Sequence, residues 1–181
     1  EVVNGLPYRR ALLASHALFP IKAGPAVIDE FKVRASVALA DNPLSVFGFG
    51  KPYTYSRSSE RVTLNIKALP LDGKPQDFSG AVGQFDVKAV IEGGNQFPVA
   101  QPFALKVRFE GTGNAKLIEL PVLNLPPNLE IYNTKNEAKF FKNGRSYKEF
   151  EILLIPRQEG EVTIPSFGVG MFDPQLKKYP Q

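Results

Sequence analysis

Few residues of this 181-residue chain have the types and spacing that catalysis requires. His16 is the only histidine, and cysteine is absent. A zinc site needs several converging ligands, and a nucleophilic triad needs a base beside a nucleophile and an orienting acid. The segments around Ser79 and at residues 110–116 lack the spacing of a nucleophile elbow or a phosphate-binding loop, and we interpret residues 110–116 as a hairpin turn. The sequence therefore predicts no catalytic residue, metal or cofactor.

Aromatic side chains offer a first candidate for binding. The segment "FGFGKPYTY" at residues 47–55 places Phe47, Phe49, Tyr53 and Tyr55 among glycines, as in a loop or edge strand. Exposed rings of this kind can anchor a protein partner or a sugar. Buried rings would instead fill the gap between two domains, and the sequence leaves both interpretations open.

Basic side chains offer a second candidate, at the tip of a predicted hairpin. Asn143-Gly144 between strand-like segments is a strong signal for a tight turn. Lys142 and Arg145 flank this turn, and further lysines lie nearby at positions 135, 139 and 148. Glu137 and Glu149 supply counter-charges, so the cluster is either a binding patch or a solvated hairpin.

The overall charge limits the classes of partner. Net charge is only +4, and the basic residues are interleaved with acidic ones along the chain. A nucleic-acid-binding domain would gather its basic residues on one stripe, so no nucleic-acid partner is predicted. With 43% hydrophobic and 22% charged residues the chain is globular rather than disordered.

The elements that must position these side chains are β-strands. Phe103, Leu105, Val107 and Phe109 alternate with polar residues, and residues 62–68 and 85–91 alternate in the same way. Period two is typical of strands buried on one face, and no window has convincing helical periodicity. Frequent turn signals between short strands predict an all-β fold of tandem immunoglobulin-like β-sandwiches.

One segment occurs twice, at an offset of 136 residues. Between residues 18–33 and 154–169, six of sixteen positions are identical: Leu18/Leu154, Pro20/Pro156, Gly24/Gly160, Ile28/Ile164, Phe31/Phe167 and Val33/Val169. In both copies the apolar alternation slips by one residue at the same place, which requires a bulge or bend. We interpret each copy as a strand, a tight turn at the glycine, and a second strand.

The unequal surroundings of the two copies predict how the chain divides. A sandwich of this type takes about 100 residues. We therefore expect residues 1–69 to be the C-terminal half of one sandwich, residues 70–80 a linker, and residues 81–181 a second sandwich that lacks its last strand. A half sandwich exposes its core face, so residues 1–69 should pack on the following domain or pair with another copy of the chain.

Four motifs together resemble the BatD (Bacteroides aerotolerance, "oxygen tolerance") family: "ALFPIKAGPAVI", "FGFGKPYTYSRSSERVTLNIKALP", "DFSGAVGQF" and "KVRFEGTGNAKLIELP". The resemblance covers nearly the whole chain, from about Tyr8 to Tyr179. It implies a bacterial envelope protein with tandem immunoglobulin-like domains, located in the periplasm and anchored to the inner membrane by a helix toward its C-terminal end. It also implies partners, namely membrane-tethered von Willebrand A-domain proteins and, through them, a MoxR-type AAA+ ATPase.

These inferences favour a non-enzymatic scaffold or adaptor for protein–protein interaction, with a role linked to aerotolerance or stress resistance. The family offers no catalytic residues to assign to this chain. An alternative is a carbohydrate or cell-wall binding module that uses Phe47, Phe49, Tyr53 and Tyr55. A hydrolase is disfavoured by the single histidine and by the missing nucleophile motif.

Overall fold

The computed structural model describes residues 2–37 and 53–180. They belong to two compact units, Pro20–Leu69 and a second unit made of Glu1–Phe19 and Pro70–Gln181. Regular structure in the described residues is β, apart from one 3₁₀ turn at Ala115–Leu117. The predicted all-β class is confirmed, and the architecture is consistent with an immunoglobulin-like sandwich. Within the described ranges, no helix has the length and apolar character of a membrane span.

The larger unit is built on one five-stranded sheet. Its strands are β7 (Phe78–Ile91), β8 (Phe103–Gly113), β9 (Leu129–Phe140), β10 (Arg145–Pro156) and β11 (Gly170–Phe172). They lie side by side in the order β11-β7-β8-β10-β9. Neighbours are antiparallel except β11 and β7, which run parallel. This leaves β9 and β11 as the two edges of the sheet.

Burial follows the predicted alternation along the central strands. Phe103, Leu105, Val107 and Phe109 of β8 are all buried, and the residues between them are half-buried. On β10 the buried apolar residues are Phe150, Ile152, Leu154 and Ile155. The core face of the sheet is covered by irregular segments, whose half-buried side chains include Leu120, Leu123, Leu125, Val162, Ile164, Phe167 and Val169. Each large apolar side chain that is fully buried contributes about 1.5–3 kcal/mol.

The predicted hairpin between β9 and β10 is confirmed. Gly144 has φ +84°, a conformation that favours glycine, and its N–H donates to the carbonyl of Phe141 at 3.0 Å. The Asn143 side chain accepts a hydrogen bond from the N–H of Arg145 at 3.1 Å. The turn is therefore held by main-chain and side-chain bonds together.

The predicted hairpin turn at residues 110–116 is wrong, because β8 continues as far as Gly113. Gly111 and Gly113 pair with Phe85 and Gly83 of β7. A Cβ atom at Gly111 would overlap the carbonyl oxygen of Gln84. The glycines thus allow two strand backbones to approach closely, which is a recognised use of glycine in a strand interior.

The end of this unit is fastened by an aromatic side chain. The ring of Tyr179 lies edge-on to those of Phe172 and Phe78, with centroid distances of 5.1 and 5.6 Å. Its hydroxyl donates to the carbonyl of Pro70 at 2.9 Å. Residues 70 and 179 of the unit are thereby held together.

The smaller unit contains a two-stranded ribbon. Its strands are β3 (Gly24–Ile28), β4 (Lys32–Val37), β5 (Tyr53–Ser58) and β6 (Val62–Ile66). β3 pairs with β6 and β4 with β5, and both pairs keep one register, since Ile28 faces Val62 and Lys32 faces Ser58. The N–H of Ser59 donates to the carbonyl of Phe31 at 3.0 Å between the two pairs. The four strands therefore form one long antiparallel ribbon in a single register, interrupted at residues 29–31.

A short hairpin at the start of the chain was not predicted from the sequence. β1 (Val2–Val3) and β2 (Leu6–Pro7) are joined by Asn4-Gly5, with φ angles of +51° and +77°. Asn-Gly is the preferred pair for a two-residue hairpin turn, so the signal was present in the sequence. β7 begins at Phe78, within the predicted linker at residues 70–80, and the division into residues 1–69, 70–80 and 81–181 stays a prediction.

The predicted strand–turn–strand hairpin of the repeat is wrong in both copies. Residues 8–23 contain no strand, and β10 of the second copy is followed by residues 157–169 without one. A strand is defined by its pairing, and these segments have no pairing partner among the described residues. The glycines of the repeat nevertheless share one conformation, with φ +119° at Gly24 and +129° at Gly160.

The predicted phase slip is present. In the second copy Val162 and Ile164 are half-buried, two exposed residues follow, and burial resumes at Phe167 and Val169. In the first copy Ala26 and Val33 are half-buried, so burial changes parity across the interruption at residues 29–31, although the pairing keeps one register. The two copies therefore share backbone features even though their pairing differs.

Candidate interaction surfaces

The outer face of the five-stranded sheet is polar and charged. Alternation along β8 directs the side chains of Lys106, Arg108 and Glu110 to this face, opposite the buried residues of the same strand. The register with β10 sets Arg108 across from Glu149 and Glu110 across from Tyr147. The pairing of the strands thus brings together charges that lie about 40 residues apart in the chain.

Arg108 is the centre of this face. Its Nε lies 3.1 Å from the carboxylate of Glu110, and its Nη1 lies 3.1 Å from the carboxylate of Glu149. The guanidinium also stacks on the ring of Tyr147, 4.0 Å from the ring centroid. The Tyr147 hydroxyl donates to the carboxylate of Glu137 at 2.8 Å. We call these five residues the Arg108 network.

Within the Arg108 network two carboxylates face each other across neighbouring strands. The hydrogen bonds of the network offset the repulsion between them. Glu149 lies directly across from Glu137, a pairing that is unfavourable by itself. Arg108 neutralises the first carboxylate, and Tyr147 donates to the second. The hydrogen bond from Arg108 lowers the pKa of Glu110, and the hydrogen bond to Glu137 raises the pKa of Tyr147. The network is satisfied internally.

The predicted basic residues differ in how far they are engaged. Arg145 reaches Glu110 at 3.4 Å with about half of its side chain exposed. Lys142 is exposed and forms no ion pair with a described residue. The structure therefore brings the two residues together at one turn, and only Lys142 keeps its charge unpaired.

The exposed edge strand β9 carries further unpaired positive charge. Lys135 and Lys139 are exposed and form no ion pair within the part of the chain that the structure describes. The carboxylates of β9 are both engaged, since Glu130 pairs with Arg157 at 2.6 Å and Glu137 accepts from Tyr147. We refer to Lys135, Lys139 and Lys142 as the lysine edge, a positively charged border of the sheet.

Tyr53 and Tyr55 lie in the smaller unit, on β5, across from Val37 and Ala35. Their exposed fractions are 59% and 52%. Residues two apart on a strand share a face, so both rings are presented on the same side of the ribbon. Phe47 and Phe49 lie outside the described residues. The two tyrosines belong to the smaller unit and the lysine edge belongs to the larger one.

Sequence reasoning missed an apolar cavity of about 310 Å³ in the larger unit. The rings of Phe97 and Phe103 line it and are stacked at a centroid distance of 4.2 Å. It is lined by Ile91, Asn95, Phe97, Phe103, Leu129, Pro156, Gly160, Glu161, Val162 and Ile164. Such a cavity is suited to an aliphatic or aromatic side chain. Its walls come from four separate parts of the chain, so no local sequence signal marks it.

Asp173 is a buried acidic residue that sequence reasoning also missed. Its carboxylate accepts hydrogen bonds from Gln84 at 2.9 Å and from the N–H groups of Gln175 and Leu176 at 2.7 and 3.0 Å. The bond from Gln84, followed by those from the backbone, lowers the pKa of this carboxyl. Asp173 therefore fixes the turn after β11. Among residues 2–37 and 53–180, no group of three or more His, Asp or Glu side chains is arranged to hold a metal.

The fold and its surfaces place the chain among all-β proteins of the immunoglobulin-like type. Residues 93–179 match the family described as BatD DUF11 like domain, just under half of the chain. The predicted resemblance to the BatD family is thus confirmed over these residues. Comparison with curated proteins and with solved structures gave no match. The matched residues include β8–β11, the lysine edge and every lining residue of the apolar cavity except Ile91.

Proposed function

We propose that this chain is a non-enzymatic interaction module of a bacterial envelope protein. In the intact protein it stands in the periplasm, anchored to the inner membrane, in a system linked to aerotolerance or stress resistance. Its partners are membrane-tethered von Willebrand A-domain proteins and, through them, a MoxR-type AAA+ ATPase. The match of residues 93–179 to the BatD domain supports this context.

The lysine edge is the observation that supports this proposal. The acidic residues of β9 are held by Arg157 and Tyr147, whereas its lysines have no counter-ion among the described residues. A positively charged border attracts an oppositely charged partner and raises the rate of association. The turn beside Lys142 is held by hydrogen bonds, so little conformational freedom is lost on binding. We therefore expect the partner to present an acidic surface.

The experiment is an affinity capture from envelope membranes with the chain as bait. Lys135, Lys139 and Lys142 are changed together to Glu, and recovery of von Willebrand A-domain proteins is compared with that of the unchanged bait. We expect recovery to fall by about tenfold or more, and to fall for the unchanged bait when salt is raised. The matched control changes the exposed lysines Lys22, Lys67 and Lys177 to Glu. Equal loss with both triple variants, or no envelope protein above background, would contradict the proposal.

A second function is favoured by one observation, the exposure of Tyr53 and Tyr55 on one face of β5. Two rings presented side by side can stack on the apolar faces of sugars, so a carbohydrate or cell-wall binding module is the alternative. Changing both tyrosines to Ala should then abolish sedimentation of the chain with purified peptidoglycan. Tyr132→Ala is the control, since this tyrosine is 67% exposed in the other unit. Unchanged sedimentation of the double variant would exclude this use of the two rings.

A further inference from the structure

The strand β9 forms a regular and uncovered edge of the five-stranded sheet, on the opposite side from β11. In the part of the chain that the structure describes, β10 is its only neighbouring strand. Residues 133–140 pair with β10 in one unbroken register, and the one irregularity lies between Asn133 and Ile131. All side chains of residues 131–140 are exposed. The ring of Phe19 contacts that of Phe140, just beyond residues 133–139.

Two hydrogen bonds indicate which backbone groups of β9 point away from the sheet. The N–H of Phe141 donates to the carbonyl of Arg145 at 2.8 Å, so the residues two, four and six positions before Phe141 also bond to β10. The N–H of Thr134, which lies between these positions, donates instead to the side-chain oxygen of Asn133 at 2.8 Å. The outward backbone groups are therefore those of Thr134, Asn136 and Ala138.

The side chains of this edge complement each other when the edge meets a second copy of itself. A two-fold axis sets two such strands antiparallel, and outward groups must meet outward groups, so successive possible registers differ by a slide of two residues. With Asn136 on the axis, Lys135 lies directly across from Glu137 of the second copy, and Glu137 lies across from its Lys135. This register uses the whole regular run of residues 133–139.

The neighbouring registers are unfavourable. With Lys135 on the axis, the two Lys135 side chains oppose each other, and with Glu137 on the axis, two carboxylates do so while Lys135 opposes Lys139. Like charges directly across two strands are destabilising. A slide of four residues toward the turn pairs Glu137 with Lys139 but leaves only residues 136–140 of β9 to pair. The opposite slide leaves only residues 133–135 of the regular run.

We propose that β9 pairs with β9 of a second copy about a two-fold axis at Asn136 and so joins two five-stranded sheets into one sheet of ten strands. The two Asn136 residues form a hydrogen-bonded pair, and Thr134 forms another with Ala138 of the second copy. Lys135 and Glu137 form the pair without hydrogen bonds, in which the side chains lie closer together. Opposite charges are stabilising in that position.

The charged side chains of the edge select this register. Lysines on an edge strand protect it against indiscriminate pairing, and here they exclude the two neighbouring registers and admit the one centred on Asn136. Glu137 accepts from Tyr147 through Oε1, which leaves its other carboxylate oxygen for the lysine of the second copy. Lys139 lies across from Asn133 and keeps its positive charge for an acidic partner. The inference goes beyond the proposed function and does not depend on it.

Sedimentation equilibrium of the full purified chain, with and without charge reversal, measures the dimer. Lys135→Glu and Glu137→Lys each place like charges across the axis twice, so each should raise the dissociation constant by about tenfold or more. The double variant Lys135→Glu/Glu137→Lys restores both pairs with the charges exchanged and should recover the dimer. Lys139→Glu is the matched control, since this position faces Asn133 and the dissociation constant should stay nearly unchanged.

A proline variant tests the backbone pairing itself. Asn136→Pro removes an outward N–H and no bond to β10, so it should abolish the dimer and leave the sheet folded. Hydrogen exchange in β8 verifies the fold of every variant. In the unchanged chain, the amides of Thr134, Asn136 and Ala138 should become protected as the protein concentration rises, because strand pairing protects amides.

Three results would overturn the proposal. The first is an unchanged chain that stays monomeric up to about 1 mM. The second is a dimer that persists equally in folded Lys135→Glu and Asn136→Pro, since association would then use another surface. The third is a charge-exchanged double variant that is folded and does not recover the dimer. Because no partner is present in these samples, their failure is distinguishable from failure of the membrane capture.

Discussion

At the scale of single residues, a glycine without a side chain determines how closely two strands approach, and an aspartate side chain determines how the chain turns. Gly111 lies where the backbones of β7 and β8 are in close contact. Asp173 gathers three hydrogen bonds at the turn after β11. Both residues contact Gln84 of β7, which is distant from them in the sequence, and each supports a stability prediction.

Replacing Gly111 by Ala should destabilise the larger unit. The new methyl group would overlap the carbonyl oxygen of Gln84, and both groups belong to paired backbone that has no room to shift. Overpacking of this kind costs about 1–3 kcal/mol. Urea unfolding followed by circular dichroism measures the loss. Gly168→Ala is the matched control, because its nearest neighbour would be a side-chain oxygen of Asp77 at 3.4 Å. Equal stability of the two variants would contradict the close approach of the strands.

Asp173 should make stability depend on pH in the acid range. Its pKa is lowered in the folded chain, so the carboxylate stabilises the fold above the unfolded value of about 3.9, and this contribution is lost as the pH falls through the folded value. The unchanged chain should therefore lose stability more steeply below about pH 4 than Asp173→Asn does. Urea midpoints measured across this range test it. Asp72→Asn, at an exposed position, should follow the unchanged chain, and a parallel course for Asp173→Asn would refute the assignment.

At the scale of elements, the sheet and the ribbon differ in how much apolar surface they bury. β8 and β10 are central strands with buried side chains, whereas all six side chains of β5 are exposed. Two-stranded ribbons are marginally stable alone, while a sheet of five strands with a packed face is not. Local stability should therefore differ between the two units.

Hydrogen exchange should report this difference directly. We expect amides of β3–β6 to exchange through local opening, and amides of β8 and β10 to exchange only near the free energy of global unfolding. Two-dimensional NMR after transfer into deuterated buffer measures both sets in one sample. β9, an edge strand of the larger unit, is the reference for amide exchange in the same sample. Equal protection of β5 and β8 would show that the ribbon is covered in solution.

Patterns on single elements were predictable from the sequence, and pairings between distant elements were not. The alternation at Phe103–Phe109 is a local property of a strand with one buried face, so its prediction is confirmed. Asn143-Gly144 likewise determines its own turn. The hairpin predicted for the repeat is wrong, because the pairing of a strand depends on which segments of the chain lie beside it. Gly24 and Gly160 nevertheless share a positive φ angle, because this angle is a requirement of the local backbone.

At the scale of the whole molecule, the candidate surfaces arise from long-range register. Arg108 meets Glu149 because β8 and β10 pair in one particular alignment, and a shift by one residue would turn either side chain into the core. The lysine edge was predictable in part, since Lys142 and Arg145 flank a recognisable turn. What the sequence did not reveal is that Glu110 engages Arg145 while Lys142 stays unpaired.

The hydrogen bond and ring contacts that hold Tyr179 to Pro70 have a mechanical consequence for the larger unit. Tension applied between these two points would first peel away the single tyrosine hydroxyl bond and its aromatic contacts. It would then pull β7 and β11 in opposite directions along their common axis, because the two strands run parallel. Hydrogen bonds strained in that geometry share the load and rupture together. The unit is thus arranged to yield slightly at low force and to resist at higher force.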